Sequence, residues 1–125
     1  MVSWVAIALG GAIGAVGRYA LSGWANETFS SRFPVGTLLV NVLGSFVMGL
    51  CYVLIVERGI LPSAWRPFVM TGLLGAFTTF STYSLDALSL WQSGYASLAI
   101  GYILVSVVSC LLAVWLAVAL AQRLI

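Results

Sequence analysis

The chain has 125 residues, is 62% hydrophobic and carries only five basic and three acidic side chains, for a net charge of +2. A soluble domain carries about 25% charged residues; at 6% charged and a mean hydropathy of +1.14, this chain cannot build a polar shell. That excludes a soluble enzyme, a nucleic-acid binder and a disordered chain, and leaves an integral membrane protein. No Lys and no His occurs, which removes Schiff-base lysines, histidine bases and the usual zinc ligands.

Charge-free runs at residues 1–17, 33–56, 67–85 and 87–122 mark the spans. A membrane helix needs about 20 apolar residues. The runs predict four helices in one transmembrane domain, at about 2–22, 36–56, 67–90 and 97–121. The last run is too long for one helix, and Gln92-Ser93-Gly94-Tyr95 divides it as a turn. Both termini then lie on one side. A signal peptide is not expected in the first span, because no Lys or Arg precedes the apolar run and Arg18 follows it.

Helix 1 carries Gly10, Gly11, Gly14 and Gly17. Gly10 and Gly14 form a G-x-x-x-G step, which favours close helix packing in lipid. Arg18, near the predicted end of this helix, can snorkel, cap a neighbouring helix end or attract anions. In helix 2, Thr37, Asn41 and Ser45 are spaced i, i+4, i+8 and share a face. An amide in hydrocarbon must be hydrogen-bonded. Spacing alone leaves Asn41 equally an interhelical packing bond or a donor in a polar track. Cys51, in the same span, and Cys110 both sit in apolar stretches and read as small hydrophobes.

Helix 3 reads Thr71-Gly72-Leu73-Leu74-Gly75-Ala76-Phe77-Thr78-Thr79-Phe80-Ser81-Thr82-Tyr83-Ser84. Glycines and hydroxyls at mid-span permit a broken helix, provided the freed backbone groups find partners. Freed carbonyls can hold a cation, and the opposing amide end can attract an anion. Phe80 and Tyr83 share a face. They serve as core packing, or as ring edges that favour an anion, or as ring faces that favour a cation. Helix 4 places Tyr102, Ser106, Ser109 and Ala113 on one stripe. Those hydroxyls form a polar track or bond back to their own helix.

Arginine counts give almost no topological bias. The side with both termini holds Arg58, Arg66 and Arg123; the other holds Arg32, plus Arg18 near the end of helix 1. Such a balance predicts insertion in both orientations. Four spans leave no lumen, so a transport path would lie at a subunit interface. Two opposed copies would form a dimer whose two-fold axis lies in the membrane plane.

The string Pro34-x-Gly36-Thr37-Leu38-x-x-Asn41-x-x-Gly44-Ser45-x-x-x-Gly49, followed by Thr71-Gly72-x-x-Gly75-x-x-Thr78-Thr79-Phe80-Ser81-Thr82, resembles the Fluc family of fluoride channels, also called CrcB. Gly11, Gly14 and Arg18 fit its opening. The resemblance covers the whole chain. It implies an all-α antiparallel dual-topology homodimer in the bacterial inner membrane, with fluoride passing out of the cell down its gradient through pores at the dimer interface. It also implies a sodium ion on the two-fold axis, held by the backbone carbonyls of Gly75 and Thr78. The pore residues by motif position are Asn41, Phe80, Tyr83, Tyr102 and Ser106, joined by the hydroxyls of Ser81 and Thr82. Tyr83 stands where the family more often has Phe, and Asp86 stands where Glu is commoner, as an acid ending helix 3 near the pore mouth.

Two other functions compete. A small multidrug-type exporter would need a membrane-embedded Glu in helix 1, and none is there. A non-transporting structural subunit would need neither a broken helix nor aligned hydroxyls. An enzyme is excluded by the lack of a nucleophile–base pair. The implied partners are fluoride, a second copy of the chain and the lipid bilayer, with no nucleic acid.

Overall fold

The computed structural model describes residues 2–125. Among these, every regular element is helical. α1 is Val2–Phe29 and α2 is Val35–Glu57, whose last turn, Tyr52–Glu57, is a π-helix. α3 starts as the π-helix Pro67–Leu74 and continues as Gly75–Phe77. α4 is Ser81–Gln92 and α5 is Ala96–Leu124. Helices α1, α2 and α5 are each long and apolar enough to cross a membrane.

Two boundaries differ from those read in the sequence. α1 runs on to Phe29 instead of stopping near Ser22. A helix satisfies its own backbone bonds and need not end where the apolar run ends. The added turns also anchor the next helix, because Asn26 Oδ1 accepts the Gly36 N–H at 2.8 Å, at the start of α2. Arg18 therefore lies about three turns before the end of α1, not at it. Likewise, α4 reaches Gln92, so Asp86 sits one and a half turns into that helix instead of ending it. The turn before α5 is as expected, with Gly94 at φ +91, a conformation that costs glycine little.

The chain breaks between α3 and α4. Thr78 is extended (φ −92, ψ 159), and regular helix resumes at Ser81. The break falls just after the glycines, at the hydroxyl cluster; Gly75 itself is still helical. The glycines serve packing. α1 and α3 run parallel, and a methyl group on Gly14 would collide with the Leu73 carbonyl, as one on Gly72 would with Ile7. Small residues here let two backbones touch.

Contacts also sort the ends. Gln122, near the end of α5, donates to both Glu57 carboxylate oxygens at 2.9 Å, and Arg58 donates to the Gln122 carbonyl. The end of α5 and the 58–66 connection therefore share one end of the bundle, and the first turns of α1 lie beside the start of α3 at that end. At the other end the Arg32 guanidinium lies 4.7 Å from the centre of the Tyr95 ring. A small core forms between α4 and α5 from Tyr83, Ala87, Leu90, Ala99 and Tyr102. Phe33 closes it with a ring edge on Tyr102, at 5.3 Å and 89°.

Candidate functional site

Breaking a helix frees backbone groups, and where each of them finds a partner defines the site. The Thr79 N–H would have met the Gly75 carbonyl; it goes instead to Asn41 Oδ1 at 2.8 Å. The Thr79 carbonyl accepts from Asn41 Nδ2 at 2.9 Å. The Thr82 N–H would have met the Thr78 carbonyl; it goes to Thr79 Oγ1 at 3.2 Å. The Leu74 carbonyl accepts both the backbone N–H and the hydroxyl of Thr78. The Ala76 carbonyl accepts from Arg18 Nε at 2.9 Å. Among the described residues no donor reaches the carbonyls of Gly75 and Thr78.

The break opens onto a cavity of about 360 Å³ between α2, α4 and α5, lined by Asn41, Ser45, Thr78, Thr79, Phe80, Tyr83, Ser106 and Cys110, among others. Phe80 is 77% exposed, an unusual state for a ring beside a cavity. Tyr83 is only 8% exposed. Its hydroxyl donates to the Ile103 carbonyl at 2.9 Å, and its ring meets Phe80 edge-to-face at 5.4 Å and 69°. Ser106 is 4% exposed, and its Oγ has no hydrogen-bond partner among the described residues. A buried hydroxyl without a partner is rare in a native fold.

A second cavity of about 510 Å³ opens toward the Arg32 end, lined by Asn26, Arg32, Thr37, Thr82 and Asp86, with serines around them. Asp86 Oδ2 accepts the Thr37 hydroxyl at 2.7 Å and the Tyr102 hydroxyl at 3.3 Å. Tyr102 is fully buried, so it lines neither cavity. It links the two through Asp86 on one side and the Tyr83 ring, at 5.2 Å, on the other.

The structure thus gathers Asn41, Thr78, Phe80, Tyr83 and Ser106 around one cavity, and Thr82 and Asp86 around the other. Ser81 lines neither; its hydroxyl shares a 3.3 Å bond with Thr79 Oγ1. Gly75 lies exposed on the outer surface and Arg18 is half-buried behind the break. On α5 the hydroxyl stripe departs from expectation. Cys110, not Ser109, follows Ser106 into the cavity, so the face is read at steps of four, as Tyr102, Ser106, Cys110. Cys51 and Cys110 are both free thiols, as expected; the i, i+4, i+8 spacing is the signal that places Cys110 on the Ser106 face.

Among the described residues no three acidic or cysteine side chains converge on one point. A cation here would therefore rest on neutral oxygens. The Gly75 and Thr78 carbonyls beside the break are such donors, of the hard oxygen type that alkali cations take.

The family described as CrcB-like protein, Camphor Resistance (CrcB), matches residues 5–118. A protein of Saccharophagus degradans named fluoride-specific ion channel FluC is 50% identical over 126 residues, covering 100% of this chain and 93% of that one. One of the same name from Magnetococcus marinus is 54% identical over 115 residues, 92% of each chain. Another, from Hahella chejuensis, is 48% identical over 118 residues, covering 94% of this chain and 93% of its own length.

Proposed function

This chain belongs to the CrcB family, and from that membership we propose that it is a fluoride channel, which lets fluoride leave the cytoplasm passively and so limits its toxicity. One observation carries the reading to the residues. The exposed Phe80 ring, the Asn41 amide and the partnerless Ser106 hydroxyl line a single cavity at the helix break. Fluoride is small and strongly hydrated, so a path must replace its water shell with donors. Ser106 has a hydroxyl hydrogen to give. Asn41 has the second hydrogen of its amide, since only one is spent on Thr79. The positive edge of an aromatic ring adds to these, and Phe80 is free to present one. Ser81, Thr82 and Tyr102 extend the hydroxyl series toward the second cavity, with Asp86 and Thr37 at its far side.

The same surfaces suit an assembly of two chains. α3 and α4 together act as a fourth, broken span, and two copies pack antiparallel in a bacterial inner membrane with the helix breaks facing each other. The exposed Gly75 and the open cavity face support this, because bare carbonyls are not tolerated against lipid. Sodium fits the same place: the Gly75 and Thr78 carbonyls of the two copies would hold it. Such an ion would supply fixed positive charge at the dimer axis and tie the breaks together.

A multidrug-type exporter is not favoured, since α1 offers no carboxylate within its first 25 residues. The deciding experiment is efflux from proteoliposomes holding the purified protein, read with a fluoride electrode and with chloride as control. Fluoride release well above that from empty liposomes, without chloride release, is expected. Equal release of both ions, or of neither, would overturn the assignment.

A further inference from the structure

We propose that Arg18 is a positioning residue for the cation site, a role that rests on the sodium reading above. Gly75, Ala76, Phe77 and Thr78 come at the C-terminal end of α3, where carbonyls lose their intrahelical donors. Ala76 lies between the two that would hold the ion, and it is the one that Arg18 takes. The bond crosses 58 residues of sequence, so it fixes the end of α3 to the body of α1.

The neighbouring bonds leave the same pattern. Asn41 diverts the Thr79 N–H, and Thr79 diverts the Thr82 N–H. The first diversion clears the Gly75 carbonyl and the second clears that of Thr78. Without Arg18, the Ala76 carbonyl would be an additional orphan at the same helix end. It would compete for the ion or for water, and α3 would lose the tether that sets its rotation. Arg18 thus takes the Ala76 carbonyl out of the donor set and ties the helix end that carries Gly75 and Thr78 to α1.

The donor atom gives a discriminating test. Arg18 bonds through Nε, which stands as many bonds from Cα as Nε2 of a glutamine. Arg18→Gln keeps a donor at that distance and removes the charge. Arg18→Met keeps the length and removes both. The purified full-length protein in detergent is melted across a sodium chloride series, with N-methylglucamine chloride holding the ionic strength constant. The wild type is expected to gain melting temperature with sodium. Arg18→Met should shift the midpoint of that gain at least tenfold upward, a loss of about 1.4 kcal/mol in cation binding. Arg18→Gln should stay within about threefold of the wild type.

A merely structural arginine would lower the melting temperature without sodium but leave the midpoint where it was, and that result overturns the proposal. Tighter sodium binding in both variants also overturns it, because charge repulsion would then dominate. Should Arg18→Met fail to fold, Arg18→Leu takes its place as the donor-free variant: a midpoint shifted at least tenfold upward supports the role, and a midpoint within about threefold of the wild type refutes it. A wild type whose melting ignores sodium removes the cation site itself, and this proposal with it. The fluoride efflux assay stands apart from both.

Discussion

Asn41 holds Thr79 by both of its backbone groups, giving Nδ2–H to the carbonyl at 2.9 Å and taking the N–H on Oδ1 at 2.8 Å. The side-chain amide thus acts as the missing neighbour of an interrupted helix. Spacing alone left Asn41 between two roles; in the structure the same residue is a packing bond and still carries one spare donor.

Asn41→Ala is therefore expected to harm folding as well as conduction. Two bonds vanish and two part-buried backbone groups lose their partner, at about 1–3 kcal/mol for each group left unsatisfied. Thermal melts should show a clear drop, and fluoride efflux from matched liposomes should fall with it. Asn41→Asp keeps an acceptor for the Thr79 N–H and should melt above Asn41→Ala. A wild-type melting temperature in Asn41→Ala would mean that the clamp does not hold the break.

Phe80→Ile separates stability from passage. Within the chain the ring is largely exposed, so the change should lower melting far less than Asn41→Ala does. It deletes the positive ring edge while keeping bulk and apolarity. Efflux should fall at least tenfold, about 1.4 kcal/mol in the barrier. Unchanged or faster efflux would show that the ring only obstructs the path.

Tyr83→Phe is expected to conduct. The Phe80 contact is a ring contact and survives the change. What is lost is the bond from the hydroxyl to the Ile103 carbonyl, at a cost of about 0.5–1.5 kcal/mol. That carbonyl lies inside α5 and keeps its helical donor, so no orphan is created. A small drop in melting with intact efflux is the expected pair of results; lost efflux would place the hydroxyl in the path.

Orientation is testable through the ends of the bundle. Arg58, Arg66 and Arg123 lie at one end and Arg32 at the other, while Arg18 is engaged at the break. Terminal reporters should still show both orientations, because the excess is only one or two Arg, according to whether Arg18 counts with Arg32. Two Lys added after Ile125 should fix most copies in one orientation and lower efflux. Co-expression with an oppositely biased copy should restore it. Full activity in a strictly single-orientation population would overturn the antiparallel dimer.

Helices and their order were legible in the sequence because lipid permits little else: charge-free runs of the right length must be helical. The break was legible from Gly75 and the threonines after it. Its exact place was not, since Gly75 is helical and the extended residue is Thr78. Hydrogen bonds from Asn41 and Thr79, distant or local, decide that, and no residue pattern records them. The place of Arg18 within α1 is hidden for a similar reason: the end of an apolar run says where hydrocarbon stops, not where a helix does. The free thiol of Cys110 agrees with its apolar setting, and its position on the Ser106 face is what puts it in the cavity.

The glycine contact between α1 and α3 bears on biosynthesis. α4, with 12 residues, is about 18 Å long, and α3 is shorter still. Neither alone reaches across about 30 Å of hydrocarbon, and the bare carbonyls between them oppose entry into lipid. The ribosome makes α1 first, however, so its glycine groove is already in the bilayer when α3 emerges. α3 can be received by a protein surface shaped for it, and Arg18 is waiting at the level of the exposed chain end. The helix that needs no help thus precedes in the gene the two short ones that need its surface, while α5 is long and apolar enough to enter by itself.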